Sequence, residues 1–235
     1  GMQYNDAIRF RSQGTVASSG SRIIVQKPSI RQTISVGVCG ALHRLGTTKQ
    51  ALHITKFLND SGYTACYIED NGRGHMDTLK DFYHVEVQGE GHIVYDGIDI
   101  YTNVNMARIL ERRYDFLIFD NGLFEETSLQ QFMTRDIKII CAGSTPWEAP
   151  HLSPVFQNLG DYTDVHFIFS FTPKSMEIEI QKLMGRFSKR CWFAGYAPDF
   201  IDGITNHAVY REVFKSFIHD AQLNRKTGLF ERIKR

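Results

Sequence analysis

Four residues in ISVGVCGALHRLGTT (Ile34 to Thr48) are spaced so that together they could hold phosphate: Gly40, Gly46, Thr47 and Thr48. Ile34, Val36 and Val38 alternate as in a buried strand, and Gly40 opens a loop. Apolar positions at Leu52, Ile54 and Leu58 predict a helix that begins near Thr47 and Thr48 and stops at Gly62. A strand, a glycine-bounded loop and a helix N-terminus turn free backbone N–H groups and the positive end of the helix dipole toward one place, where an anion is stabilised.

The spacing approaches the phosphate-loop pattern of two glycines followed by Lys and Ser/Thr. Counting from Gly40 puts Leu45 in the second glycine slot, Gly46 in the lysine slot and Thr47 in the hydroxyl slot. Anchoring on Gly46 puts Ala41 first, Thr47 in the lysine slot and Thr48 last. In neither register is there a lysine. The loop can offer amides and a hydroxyl for Mg²⁺, but it lacks the ammonium that neutralises the β- and γ-phosphates. His43 and Arg44 are the nearby substitutes.

Carboxylates belong to the same chemistry. The run YDFLIFD carries a continuous apolar strand, Phe116 to Phe119, into Asp120, the pattern of an aspartate that holds Mg²⁺ or its water at a buried strand tip. A second strand, Thr64 to Ile68, leads into Glu69, Asp70 and Asn71. In an open α/β sheet ligands sit at the carboxyl ends of strands, so these groups are expected near the loop. The following GRGH turn carries Arg73 and His75, either as part of the site or as a solvated turn.

The elements that must position these residues alternate. Short strands broken by Gly89, Gly91 and Gly97 fill residues 80–103, and helices are expected over 104–113, 125–133, 148–158, 174–187 and 207–220. Strands are expected over 137–143, 165–171 and 191–199. Helices between strands rich in Val, Ile and Phe predict an α/β fold of three layers, a mostly parallel twisted sheet with helices on both faces. The chain of 235 residues, 42% hydrophobic with net charge +1, suits one such domain and gives no global argument for nucleic acid. The expected organisation is an arm over 1–32, the domain over 33–220 and a basic tail over 221–235. No apolar run approaches the roughly 18 residues of a membrane helix. The four widely spaced cysteines read as reduced buried thiols, which makes the cytoplasm the expected compartment. The histidines show no metal-ligand spacing, and His43, His53, His75 and His92 are expected at the surface or in loops.

The order of motifs resembles the MinD/ParA group of P-loop ATPases, whose "deviant" phosphate loop works in an ATP-dependent dimer. VGVCGALHRLGTTKQALHITKFLNDSGYTACYIEDN is similar to that family's opening strand, loop, helix and second strand, YDFLIFDNG to its Walker B strand, and FAGYAPD to its late strand-to-proline turn. The resemblance implies that Gly40, Ala41, Leu42, His43, Arg44, Leu45, Gly46, Thr47 and Thr48 bind the phosphates of ATP. It implies that Thr47 (Thr48 in the other register) and Asp120 serve Mg²⁺, that Glu69 and Asn71 take the places of acids after the second strand, and that Pro198 and Asp199 edge the base. The family's two lysines fall at Gly46 and Ala41, and Asn71 stands where the family positions the attacking water with an aspartate. Loss of those charges removes most of the electrostatics phosphoryl transfer relies on. The expected function is therefore a weak or very slow ATPase acting as a switch for a protein partner, with an ATP-dependent homodimer implied. The rival expectation is a pseudo-NTPase interaction module without nucleotide. The tail, with Leu229, Phe230 and Ile233 among basic residues, is similar to a membrane-targeting helix but reads better as a solvated basic segment.

Overall fold

The structure, a computed structural model, describes residues 32–218. The expectations for the N-terminal arm and the basic tail fall outside the described residues. In chain order the elements are β1 (Ile34–Gly40), α1 (Thr47–Asp60), β2 (Ala65–Glu69), α2 (Leu79–Phe82), β3 (Glu86–Gly89), β4 (His92–Tyr95) and β5 (Ile98–Tyr101). There follow α3 (Met106–Glu111), β6 (Phe116–Leu123), α4 (Leu129–Met133), β7 (Ile137–Ala142), α5 (Leu152–Leu159), β8 (His166–Ser170), α6 (Lys174–Leu183), β9 (Cys191–Ala194) and α7 (His207–Phe214).

The strands form one nine-stranded sheet in the order β3-β4-β5-β2-β6-β1-β7-β8-β9. All neighbours from β5 to β9 run parallel, and the β3–β4–β5 meander adds an antiparallel edge. Strand β6 inserts between β2 and β1, while β7 continues on the far side of β1. The chain thus reverses its travel across the sheet at β1, the place where ligands settle in open sheets of this kind. This is the three-layer α/β fold that the alternation predicts.

Helix α1 is the inner pillar of one layer. Ala51, Leu52, Ile54, Phe57 and Leu58 are fully buried against the sheet, and Phe57 lies 5.6 Å from Tyr210 and 6.4 Å from Phe214 of α7. Of its buried polar residues, Thr55 bonds back to the Ala51 carbonyl within the helix at 2.8 Å, and Gln50 and His53 bond outward. Gln50 Oε1 accepts from Tyr210 OH at 2.7 Å, and His53 Nε2 meets Asp199 O at 3.0 Å. On the other pleat face of β2 and β6, Cys66, Ile68, Leu117 and Phe119 form a separate cluster with Tyr101, Tyr114 and Ile109 of α3.

Several boundaries moved. Strand β9 stops at Ala194 because the backbone N–H of Gly195 goes to Asn206 Oδ1 at 2.7 Å rather than into a ladder. Strand β6 runs past Asp120 to Leu123 through a bulge opposite Val38/Cys39. Helix α6 ends at Leu183, whose side chain is exposed although the pattern turns it inward; only Ile180 of the helix is buried, with Met184 just after it. His53 and His92 are buried, not superficial: His92 stacks 4.3 Å from Tyr101 and bonds Asp99 at 2.7 Å. All four cysteines are free and buried, and burial raises the Cys141 and Cys191 thiols to about 12.

His166 supplies a test of the folded core. Burial, then the neighbouring Arg190 guanidinium, lowers its pKa from 6.5 to about 4. Trp192 Nε1–H donates to Nδ1 at 2.9 Å, so a second ring proton would displace that bond and add charge beside Arg190 NH1, 2.9 Å from Nε2. The unfolded chain takes up this proton below about pH 6.5, whereas the folded chain resists down to about 4. Stability is therefore lost as pH falls through that window, by about 3 kcal/mol from this residue. His166→Gln should be less stable than wild type at pH 7.5 in urea unfolding, with the deficit shrinking by a comparable amount at pH 4. An unchanged deficit would mean His166 is not the titrating group.

Candidate functional site

The centre of the site is Asp120, fully buried in β6 between Val38 of β1 and Glu69 of β2. Its Oδ2 accepts from Thr48 Oγ1 at 2.6 Å and from Tyr67 OH at 2.7 Å, and its Oδ1 accepts from Gly122 N–H at 3.1 Å. Burial, then the adjacent Asp120 carboxylate, pushes the Tyr67 phenol well above its ordinary value, which fixes it as a donor. Gly122, at φ 71°, makes this turn: a Cβ there would sit 2.8 Å from the Cβ of Asn71 and force the two loops apart.

Above Asp120 lies the N-terminus of α1. Gly46 enters it at φ 83° and no side chain caps it. The first intrahelical bond runs from Gln50 N–H to Gly46 O, so the amides of Thr47, Thr48 and Lys49 have no helical acceptor. They face a cavity of about 260 Å³ bordered by Leu42, Gly46, Thr47, Thr48 and Asn71. His43, Arg44, Lys49, Arg73 and His75 also border it, and no carboxylate does. The place is built for an anion by backbone and side chains alike.

The loop residues divide by direction. Ala41 and Leu45 are buried in the core and anchor the loop; Leu42, His43, Arg44, Gly46, Thr47 and Thr48 border the cavity. Gly40 lies beneath: its own Cβ would fall 2.4 Å from Thr47 Oγ1, so only glycine lets that hydroxyl tuck in. Of the two threonines it is Thr48 that reaches Asp120, the arrangement of the Gly46-anchored register.

The acids after β2 separate. Glu69 is buried and its carboxylate accepts the His75 and Met76 amides at 2.6 and 3.1 Å, so it organises the loop instead of facing the cavity. Burial nevertheless raises its pKa. Asp70 turns to the opposite face, where Asn121 Nδ2 donates to it at 2.9 Å and Arg135 approaches at 3.4 Å. Asn71 stays at the cavity, its Oδ1 accepting the Arg73 N–H at 3.0 Å. Pro198 and Asp199 border a different cavity, of about 680 Å³, beside Tyr95 and Phe200. They touch α1 through carbonyls: Lys49 Nζ donates to Ala197 O and, at 3.3 Å, to Pro198 O.

Sequence reasoning left Lys49 and Gly122 out of the site and left Arg73 and His75 undecided. Lys49 was legible as the first cation past the threonines, and Gly122 as the glycine two residues beyond Asp120; that Arg73 returns to the cavity depends on the turn at Glu69. Among the described residues no group of three or more His, Cys, Asp or Glu could hold a metal ion. No described helix is long and apolar enough to cross a membrane.

The fold defines a class, the three-layer α/β proteins with a mostly parallel sheet. Within it the chain has the MinD/ParA-like fold. It superposes on a plasmid partition protein of Borrelia burgdorferi bound to AMPPNP with a TM-score of 0.58 and 12% identity, over 80% of this chain and 100% of that one. It matches the MinD-containing MinC:MinD cell division complex of Aquifex aeolicus at 0.58 with 13% identity, over 78% and 95%. No protein-family profile and no curated protein matches the sequence.

Asp120→Ala should cost about 2–4 kcal/mol in urea unfolding, because it leaves two buried hydroxyls and an amide without their acceptor. A loss under about 0.5 kcal/mol would mean that the three donors find other partners.

Proposed function

We propose that this protein binds a nucleoside triphosphate with Mg²⁺ and acts as a slow nucleotide-dependent switch for a protein partner. One observation carries the reading: an uncapped helix N-terminus, with its Thr48 hydroxyl on the buried Asp120 carboxylate, opens onto a cavity bordered by cations and no carboxylate. The Thr48 hydroxyl has the oxygen chemistry Mg²⁺ takes and would hold it beside the phosphates, with Thr47 the candidate in the other register. The buried Asp120 carboxylate beneath would fix the orientation of the Thr48 hydroxyl and add negative charge. The metal would supply charge neutralisation there. The amides of Thr47, Thr48 and Lys49 would orient the phosphate oxygens, and Gly46 would let them approach. Support for ATP comes from the AMPPNP-bound Borrelia burgdorferi protein, and support for a protein partner from the MinC:MinD complex. An ATP-dependent homodimer is part of the same reading.

Slow turnover follows from what the cavity lacks. Glu69 is held by backbone amides, and Asn71 cannot act as a base toward water. No lysine stands in the loop. The second reading, an interaction module that binds no nucleotide, draws on the commitment of Lys49, the nearest ammonium, to the carbonyls of Ala197 and Pro198.

Isothermal titration with ATP and Mg²⁺ decides between them. A micromolar Kd is expected, weakened about tenfold or more by Thr48→Ala, which corresponds to about 1.4 kcal/mol, with Thr47→Ala reporting on the other register. Absence of binding would favour the interaction module, and turnover on the order of 10 s⁻¹ would contradict the slow switch.

A further inference from the structure

If the site takes a polyphosphate, something other than the loop must balance its charge. Five basic side chains border the cavity, and they are not equivalent. Lys49 is turned away, its ammonium on the carbonyls of Ala197 and Pro198 and 5.9 Å from the Tyr196 ring. His43 and His75 carry imidazoles, which lack the guanidinium's fork of donors. Arg44 is exposed at the tip of the loop.

Arg73 is different. Its backbone is fixed at the cavity rim: Asn71 Oδ1 accepts its N–H at 3.0 Å, and the Glu69 carboxylate pins the next turn through His75 and Met76. Its guanidinium reaches from the loop after β2 to the loop after β6, where NH2 meets Glu126 Oε2 at 2.6 Å. The side chains are 33% and 55% exposed. A pair so open to water adds little to stability and is given up easily. A phosphate offers the same fork two charge-assisted hydrogen bonds and a larger charge. Arg73 is thus a positioned cation in an exchangeable contact.

We propose that Arg73 supplies the phosphate-neutralising charge missing from the loop, and that Glu126 competes with the ligand for it, setting the affinity of the site. The inference rests on the nucleotide-binding reading above. When polyphosphate enters, the guanidinium changes partner from carboxylate to phosphate and Glu126 is released at the surface. The contact between the two loops then opens, so that occupancy alters the cavity rim.

The test is titration of the full chain with ATP–Mg²⁺ and, separately, with inorganic tripolyphosphate–Mg²⁺. Wild type, Arg73→Ala, Arg73→Lys, Glu126→Gln and Thr48→Ala are compared, with thermal melts to establish folding. Arg73→Ala should raise both Kd values about tenfold, and Arg73→Lys should recover part of the loss, since a point charge remains without the fork. Glu126→Gln should lower both roughly threefold, because it removes the competitor but leaves the cation. Opposite signs for the two positions are the signature. Wild-type affinity in Arg73→Ala, with Thr48→Ala still weakened, overturns the role of Arg73 and leaves nucleotide binding standing. Equal weakening by Arg73→Ala and Glu126→Gln overturns it too, since the pair would then act only by holding the loops. If wild type binds neither ligand, both readings fall together.

Discussion

The contact the site depends on is the buried carboxylate of Asp120. A fully buried carboxylate is expensive unless hydrogen bonds surround it, and here Thr48, Tyr67 and Gly122 supply them from α1, β2 and β6 itself. Each donor fixes a different part of the molecule. Thr48 seats the first turn of α1 over the sheet, Tyr67 holds β2 beside β6, and the Gly122 turn lets the Asn71 loop close in. The geometry of the cavity is therefore set from beneath, by a group the cavity does not expose.

The sheet brings these donors together through its strand order. Because β6 lies between β2 and β1, Asp120 is level with Glu69 on one side and Val38 on the other. The loops after β1, β2 and β6 then leave the sheet side by side. Helix α1 is locked over them by apolar burial and by the His53 and Gln50 bonds to elements late in the chain. Helix α7 and the 197–203 loop thus brace α1 without contributing to the cavity border.

The fold was legible because its signals are local: apolar runs ending in Gly or Asp, and 3.6-residue periods between them. The β1 loop, Asp120 and α1 were readable for that reason. The strands within 80–103 were visible, but not that they form an antiparallel edge beyond β2, since pairing partners leave no mark in one sequence. The exposed Leu183 and the buried His53 show the limit of periodicity: which face of a helix is covered depends on what arrives later in the chain. At the site the direction of a side chain was the hidden quantity. Glu69, Asp70 and Asn71 are consecutive, yet one caps a turn, one pairs with Arg135 on the opposite face and one meets the cavity. Pro198 and Asp199, placed at the base by likeness of motif, border another cavity.

The charge around the cavity bears on what such a site does best. A lysine buried in a phosphate loop is already in place when charge develops, and preorganised charge of that kind lowers a barrier. On the proposed reading the cations here stand at the rim: Arg44 is exposed and Arg73 is engaged elsewhere until a ligand draws it in. Charges at a wet rim are screened by salt and must reorganise, so they favour recognition of an anion over acceleration of its transfer. The same reorganisation is useful in a switch, because a ligand alters a surface only when its bound and free states differ in their contacts. Polyphosphate drawing Arg73 off Glu126 would create such a difference between the loops after β2 and β6. On that reading, slow chemistry and a responsive rim would have one physical origin, the placement of positive charge outside the loop instead of within it.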